Sequence, residues 1–185
     1  TARYEWTTTL PEGSMGTFFP SGNLSFVFSE LGALKGNNIL SFGKFRTSYA
    51  ITAKGTGAYN TARTYGVAQA FDGWINGAAT VTNGSFAIGQ TIVDDELTHE
   101  KTKTFEVGVE LKFLKNRYGI DFTYYNNQSE GLLMTIPVDP SSGADSLFAN
   151  AGTMESVGYE ATLYANPVKT KDFSWEILAN WTKED

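Results

Sequence analysis

Between Thr102 and Glu130 the chain reads TKTFEVGVELKFLKNRYGIDFTYYNNQSE, two alternating stretches either side of a short polar turn. Successive strand side chains point to opposite faces, so Phe105, Val107, Val109, Leu111 and Phe113 form one row, and Thr104, Glu106, Gly108, Glu110 and Lys112 form the other. The second arm repeats the pattern, with Tyr118, Ile120, Phe122 and Tyr124 opposed to Gly119, Asp121, Thr123 and Tyr125. Leu114 to Arg117 make the reversal. One face of this hairpin is apolar and the other charged, which suits either a soluble sandwich or an outer-membrane barrel. Length leans toward the barrel. At about 3.3 Å per residue, Phe105 to Phe113 rises roughly 26 Å, or roughly 20 Å along the axis of a barrel tilted by about 40°. Aromatics end the apolar rows, Phe113 and Tyr118 beside the turn and Tyr124 and Tyr125 at the far end, where an interfacial girdle would place them.

Other classes drop out on composition. No run of about 18 apolar residues exists, so a helical span is excluded while a β-barrel is not. The net charge of −6, with Lys and Arg scattered singly, lacks the basic stripe that nucleic acid needs. With no cysteine there are no disulfides, thiolate metal sites or cysteine nucleophiles. Nineteen glycines, 14% aromatics and 18% charged residues indicate a β-rich, turn-rich chain.

Seven strands are expected: Ala2 to Thr9, Thr17 to Ser29, Ile39 to Ile51, the two arms of the hairpin, Val157 to Asn166 and Phe173 to Trp181. The connections at one end are short: Glu30 to Asn38, Leu114 to Arg117 and Pro167 to Asp172. At the other end two of three are long, from about Thr52 to Lys101 and through Pro137, Pro140 to Gly143 and Asn150 to Gly152. Short turns opposed to long loops are the pattern of outer-membrane barrels. Seven strands cannot close such a barrel, where single chains have an even count of eight or more, so an arc of a larger one is expected. The termini accordingly read as cuts in a longer protein, with residues 1–185 forming part of one barrel domain.

The stretches Phe18 to Leu31, Phe45 to Ala50, Leu97 to Gly108, Asn116 to Asn126, Asn150 to Glu160 and Lys171 to Trp175 resemble, in order and spacing, the C-terminal half of the barrel in SusC/RagA-type TonB-dependent outer-membrane transporters. The resemblance implies an all-β antiparallel transmembrane barrel of roughly 22 strands with an internal plug. It also implies a SusD-like surface lipoprotein as partner, energy from a TonB complex, and import of oligosaccharides or peptides across the bacterial outer membrane. The plug, the signal peptide and the TonB-contacting segment would lie outside this chain.

Bottom-up, Lys44, Arg46, Glu106, Glu110, Lys112, Asp121, Glu160 and Glu176 would line a polar lumen of mixed sign, as solvated wall or as contacts for hydroxyl-rich cargo. Tyr59, Tyr65, Phe71 and Trp74, on the long connection, are the candidate substrate-binding residues, because loop aromatics stack on sugar faces; self-packing of the loop or contact with the capping partner is the simpler explanation of them. No catalytic residue, cofactor or metal is expected. His99 is the only histidine and reads as a strand-rim residue. Asp94 to Glu96 lack EF-hand spacing and read as a solvated acidic loop. Glu106 and Glu110 share a face, as carboxylates in any wet lumen do. A passive porin-like channel and a soluble carbohydrate-binding sandwich are the competing readings.

Overall fold

In the computed structural model, residues 1–32, 34–62, 65–67 and 86–185 are described. The strands are β1 (Ala2–Trp6), β2 (Gly16–Val27), β3 (Leu40–Lys54), β4 (Tyr65–Val67), β5 (Phe86–Ile88), β6 (Thr91–Val93), β7 (Glu100–Phe113), β8 (Tyr118–Glu130), β9 (Leu133–Pro137), β10 (Ser146–Asn150), β11 (Thr153–Lys169) and β12 (Ser174–Glu184). Seven of them form one sheet in the order β1-β2-β3-β7-β8-β11-β12. Every neighbouring pair in it is antiparallel and adjacent in sequence but for the short strands in the long connections. The sheet is open, with β1 and β12 as its edges.

The alternation seen in the sequence is carried through the ladders. Phe45, Val109, Phe122, Ala161 and Trp181 lie on one rung, and Arg46, Gly108, Thr123, Glu160 and Thr182 on the next, so one face is apolar across five strands and the other polar. β1 and β2 extend the apolar face with Tyr4, Trp6, Phe18, Leu24 and Phe26. A soluble sandwich would bury this face beneath a second sheet. Here it is bare: Tyr4, Trp6, Leu24, Leu163 and Trp181 are each more than half exposed. Among the described residues the only buried apolar side chains are Leu10, Leu97, Ala144 and Ala149, three of them in connections and one on β10.

The hairpins are staggered. The β2–β3 ladder ends at Val27 and Lys44, the β7–β8 ladder at Phe113 and Tyr118, and the β11–β12 ladder at Lys169 and Ser174. Phe113 lies opposite Leu40, beyond Lys44, and Lys169 lies beyond Ala165, the partner of Tyr118. Each hairpin thus slides three to four residues along its predecessor, about 10–13 Å for about 10 Å of sheet width, a slope of about 45°. That is the inclination of membrane-spanning strands.

Several expected boundaries move. The first strand stops at Trp6 instead of Thr9: one further in-register bond joins the Thr7 N–H to the Met15 carbonyl (3.0 Å), and the Thr7 hydroxyl then draws the chain into a local turn, accepting from the Thr9 N–H (3.3 Å) and meeting Thr9 Oγ1 (2.9 Å). β3 runs on to Lys54 and β7 begins at Glu100, so the long connection is shorter than Thr52 to Lys101 at both ends: polar residues continue the ladder beyond the apolar rows. The sixth strand passes through Pro167 to Lys169, which moves the turn from Pro167–Asp172 to 170–173. Proline has no N–H for the ladder, and the register shifts between Ala165 and Val168 to accommodate it. The two long connections also contain unforeseen structure. β6, β10 and β9 make a three-stranded sheet, with β10 parallel to β6, and β4 pairs with β5.

Candidate functional site: the polar face and its two rims

Arg46 on β3 organises the polar face. Its guanidinium reaches over β7 to β8, with Nη1 and Nη2 donating to the two oxygens of Asp121 (2.9 and 2.7 Å) and Nη2 also donating to Thr123 Oγ1 (2.7 Å). A glycine makes the crossing feasible: a Cβ at Gly108 would stand 2.6 Å from Arg46 Nε. The same device recurs where the Tyr125 ring lies over Gly158. On β7, Lys112 pairs with Glu110 (2.9 Å) and its ammonium stands 5.2 Å from the centroid of the Phe42 ring. Ser48 donates to Glu106 (3.3 Å). Fixed ion pairs, hydroxyls and amides on one wall make a surface that water and hydroxyl-rich solutes wet. Of the residues expected to line the lumen, Lys44, Arg46, Glu106, Glu110, Asp121 and Glu160 lie on this face by register, and Glu176 shares it with Asn180 and Thr182 through the alternation of β12.

At the end carrying the long connections, His99 is buried just before β7, its Nδ1 2.6 Å from Thr17 Oγ1 on β2. Burial, reinforced by Lys101, holds the imidazole below its ordinary pKa, favouring the neutral ring. Beside it a recess of about 620 Å³ is lined by Tyr4, Glu5, Trp6, Thr9, Thr56 and others. Asn150 fastens the small sheet to this rim. Its Oδ1 accepts from the Thr98 N–H (2.7 Å), and its Nδ2 donates to the carbonyls of Thr98 (3.0 Å) and Gly131 (2.7 Å). The side-chain amide thereby stands in for a peptide unit. In the second long connection Asp139 accepts from Ser141 N (2.8 Å), and hydrogen bonds from Ser141 hold its carboxyl below the usual range.

At the opposite end the reversal after β7 places Leu114, Lys115 and Asn116 consecutively at positive φ (51°, 57° and 63°). Arg117 then clasps the bulge in β11, donating to the carbonyls of Asn166 (3.2 Å) and Pro167 (2.6 Å), while Asn166 N donates to Arg117 O (2.6 Å). The buried Asn166 amide bridges onward, accepting from Ser174 Oγ (3.0 Å) and donating to Val168 O (2.8 Å). The bulge that Pro167 forces is thus closed by neighbours.

The loop aromatics are not brought together. Tyr59 sits in a turn at φ 66° and is 85% exposed, and Tyr65 on β4 is 70% exposed. Phe71 and Trp74 lie outside the described residues. Asp94 accepts from the Glu96 N–H (2.9 Å) in a local turn, and no group of three potential metal ligands occurs among the described residues. The Asn150 clamp and the Thr17–His99 pair escaped the sequence reading. Asn150, between two alanines and before Gly152, leaves only that local trace, and Thr17 and His99 leave none, since the partners lie far apart in the chain.

Known proteins bear on this arrangement. Residues 1–185 match the family model described as TonB dependent receptor-like, beta-barrel. The chain is 27% identical over 186 residues to TonB-dependent receptor P3 of Formosa agariphila, covering 99% of this chain and 18% of that protein. It is also 27% identical over 195 residues to TonB-dependent receptor SusC of Bacteroides thetaiotaomicron, covering 98% and 18%. Among solved structures, the RagAB peptide importer in its closed-closed state superposes with a TM-score of 0.83 at 21% identity, over 99% of this chain and 19% of that one. The chain therefore spans less than a fifth of the length of these relatives.

Proposed function

Because this chain belongs to the TonB dependent receptor-like β-barrel family, we propose that it forms part of the wall of an outer-membrane active importer for oligosaccharides or peptides. The observation that carries this reading is the bare apolar face, which runs over seven strands inclined at about 45° and backs directly onto a polar, ion-paired face. Lipid is the solvent that such a face requires, because water would not tolerate a contiguous apolar surface of this extent. The polar face then lines the lumen of a barrel of about 22 strands, of which seven are in this chain. The short turns at 114–117 and 170–173 face the periplasm, and the connections bearing β6, β9 and β10 face the exterior.

Likeness to SusC and to the RagAB peptide importer supports a SusD-like surface lipoprotein as partner and a TonB complex as the source of energy. Tyr59, Tyr65, Phe71 and Trp74 belong to the exterior connections and are the candidate contacts for cargo or for the lipoprotein. This part of the wall acts by shape and charge, with no catalytic, cofactor or metal role.

Uptake of labelled oligosaccharides and peptides by cells making the full-length protein, with TonB intact and with TonB deleted, tests this. Uptake of at least one class that disappears with TonB is the expected result. Uptake indifferent to TonB would indicate a passive channel, and no uptake of either class would overturn the reading.

A further inference from the structure

On the polar face, the Tyr125 ring of β8 is laid flat on the neighbouring strand. A Cβ at Gly158 on β11 would meet Cζ and Oη of that ring first and equally, with Cε1 farther off at 2.8 Å. A group in the plane of the ring and equally near Cζ and Oη would come closer still to one of the Cε carbons, so Gly158 lies under the ring's face. One face of the phenol therefore covers buried Gly158, and the other is turned away from the wall.

The ring has a polar frame. Glu184 on β12 is the cross-strand partner of Gly158, Ser156 and Glu160 flank Gly158 on the same face of β11, and Thr123 and Asn127 flank Tyr125 on β8. Ser156 donates to Glu184 (2.6 Å), and because a carboxylate has about four acceptor positions, Glu184 has room for further donors. Arg46 sets its guanidinium on Thr123 (2.7 Å), the partner of Glu160, and so offsets part of the acidic charge beside the ring. Tyr125 and its partner Glu106 directly follow Tyr124 and Phe105 in their strands, where the outward apolar rows end. The ring thus stands near the end of the wall that carries the long connections.

We propose that the lumen-facing side of Tyr125 is a stacking platform for one pyranose ring of a neutral oligosaccharide. The inference rests on the import reading and narrows its cargo to one class. A pyranose has an apolar C–H face ringed by hydroxyls. A flat aromatic takes that face, and the carboxylates, hydroxyls and amide around it take the hydroxyls, those to the carboxylates being charge-assisted. Glu160 and Glu184 disfavour an acidic cargo, and a frame of mixed donors and acceptors with a guanidinium in it suits hydroxyls better than an ammonium.

Equilibrium binding of maltotriose, cellotriose and xylotriose to the purified full-length protein tests this, with triarginine as a cationic peptide for comparison. At least one trisaccharide should bind. Tyr125→Phe should hold that affinity within about twofold, and Tyr125→Leu, which still covers Gly158 but has no flat face, should weaken it about tenfold. Unchanged sugar affinity in Tyr125→Leu overturns the proposal, as does an equal loss in Tyr125→Phe, which would assign the effect to the hydroxyl. Binding of none of the three sugars overturns it too. So does triarginine binding that Tyr125→Leu abolishes while sugar binding persists, because the ring would then belong to a cation site. TonB-dependent uptake is a separate readout: the import reading stands when peptide uptake persists without sugar binding, and falls when uptake is absent.

Discussion

At the scale of single residues, small or sharply placed side chains decide what the strands can do. Gly108 is the space through which Arg46 reaches Asp121, and a glycine opposite an arginine in an otherwise alternating strand is a readable sign of such a crossing. The pairing itself is not readable, since 75 residues separate Arg46 from Asp121 and 82 separate Thr17 from His99. His99 gives a direct prediction. Its folded pKa lies below the ordinary 6.5, so the unfolded rim binds the proton more readily; stability at this rim is complete above pH 6.5 and lost as the pH falls below it. As the only histidine in this chain, it should give a ring titration by NMR with a midpoint under 6.5, moving up toward the ordinary value in Thr17→Ala, which opens the buried pair to water. A midpoint at or above 6.5 in the wild type would refute the neutral, buried imidazole.

At the scale of elements, the hairpin of β7 and β8 was legible almost residue by residue, because a period of two fixes which side chains share a face, and a slip of one residue would invert both faces. Strand ends were less legible. β3 and β7 extend past their apolar rows through Thr52, Lys54, Glu100 and Thr102, whose pairing is held by backbone bonds that leave no hydrophobic signature. Pro167 read as a turn residue, yet it sits in β11 at a bulge whose carbonyls Arg117 satisfies, a compensation supplied from another hairpin. The short strands β6, β9 and β10 have too few residues for a period to register. The two faces predict opposite tolerance to charge. Val109→Lys on the apolar face of β7 should destabilise the full-length protein by about 2–4 kcal/mol, the depth-dependent cost of a lysine facing lipid near mid-bilayer. Glu160→Lys, one rung away on the polar face, should stay within about 0.5 kcal/mol. Denaturant unfolding from lipid vesicles measures both, and equal costs would refute the assignment of faces.

At the scale of the whole molecule, the stagger of the hairpins and the edge of the apolar face agree. On the ladder the apolar rows end at Ile51 on β3, Phe105 on β7, Tyr124 on β8 and Trp181 on β12, with Val157 on β11 two rungs above Tyr159, the partner of Tyr124. Lys103, Asn126 and Lys183 lie just beyond them. Ile51 and Trp181 are six residues apart on the shared ladder across four strand spacings, about 20 Å against about 19 Å, so the boundary slopes by about 45°, as the turns do. A flat water–lipid boundary crossing inclined strands leaves this trace. This segment contains no cysteine, so single cysteines can be placed along β7 without background from it. The most direct test is a spin-label scan from Phe105 to Phe113 in the full-length protein reconstituted in lipid vesicles. Lipid-soluble oxygen should relax labels at 105, 107, 109, 111 and 113, and a water-soluble nickel chelate should relax those at 104, 106, 108, 110 and 112. Oxygen access without that alternation, or chelate access at 107, 109 and 111, would contradict a membrane-facing wall.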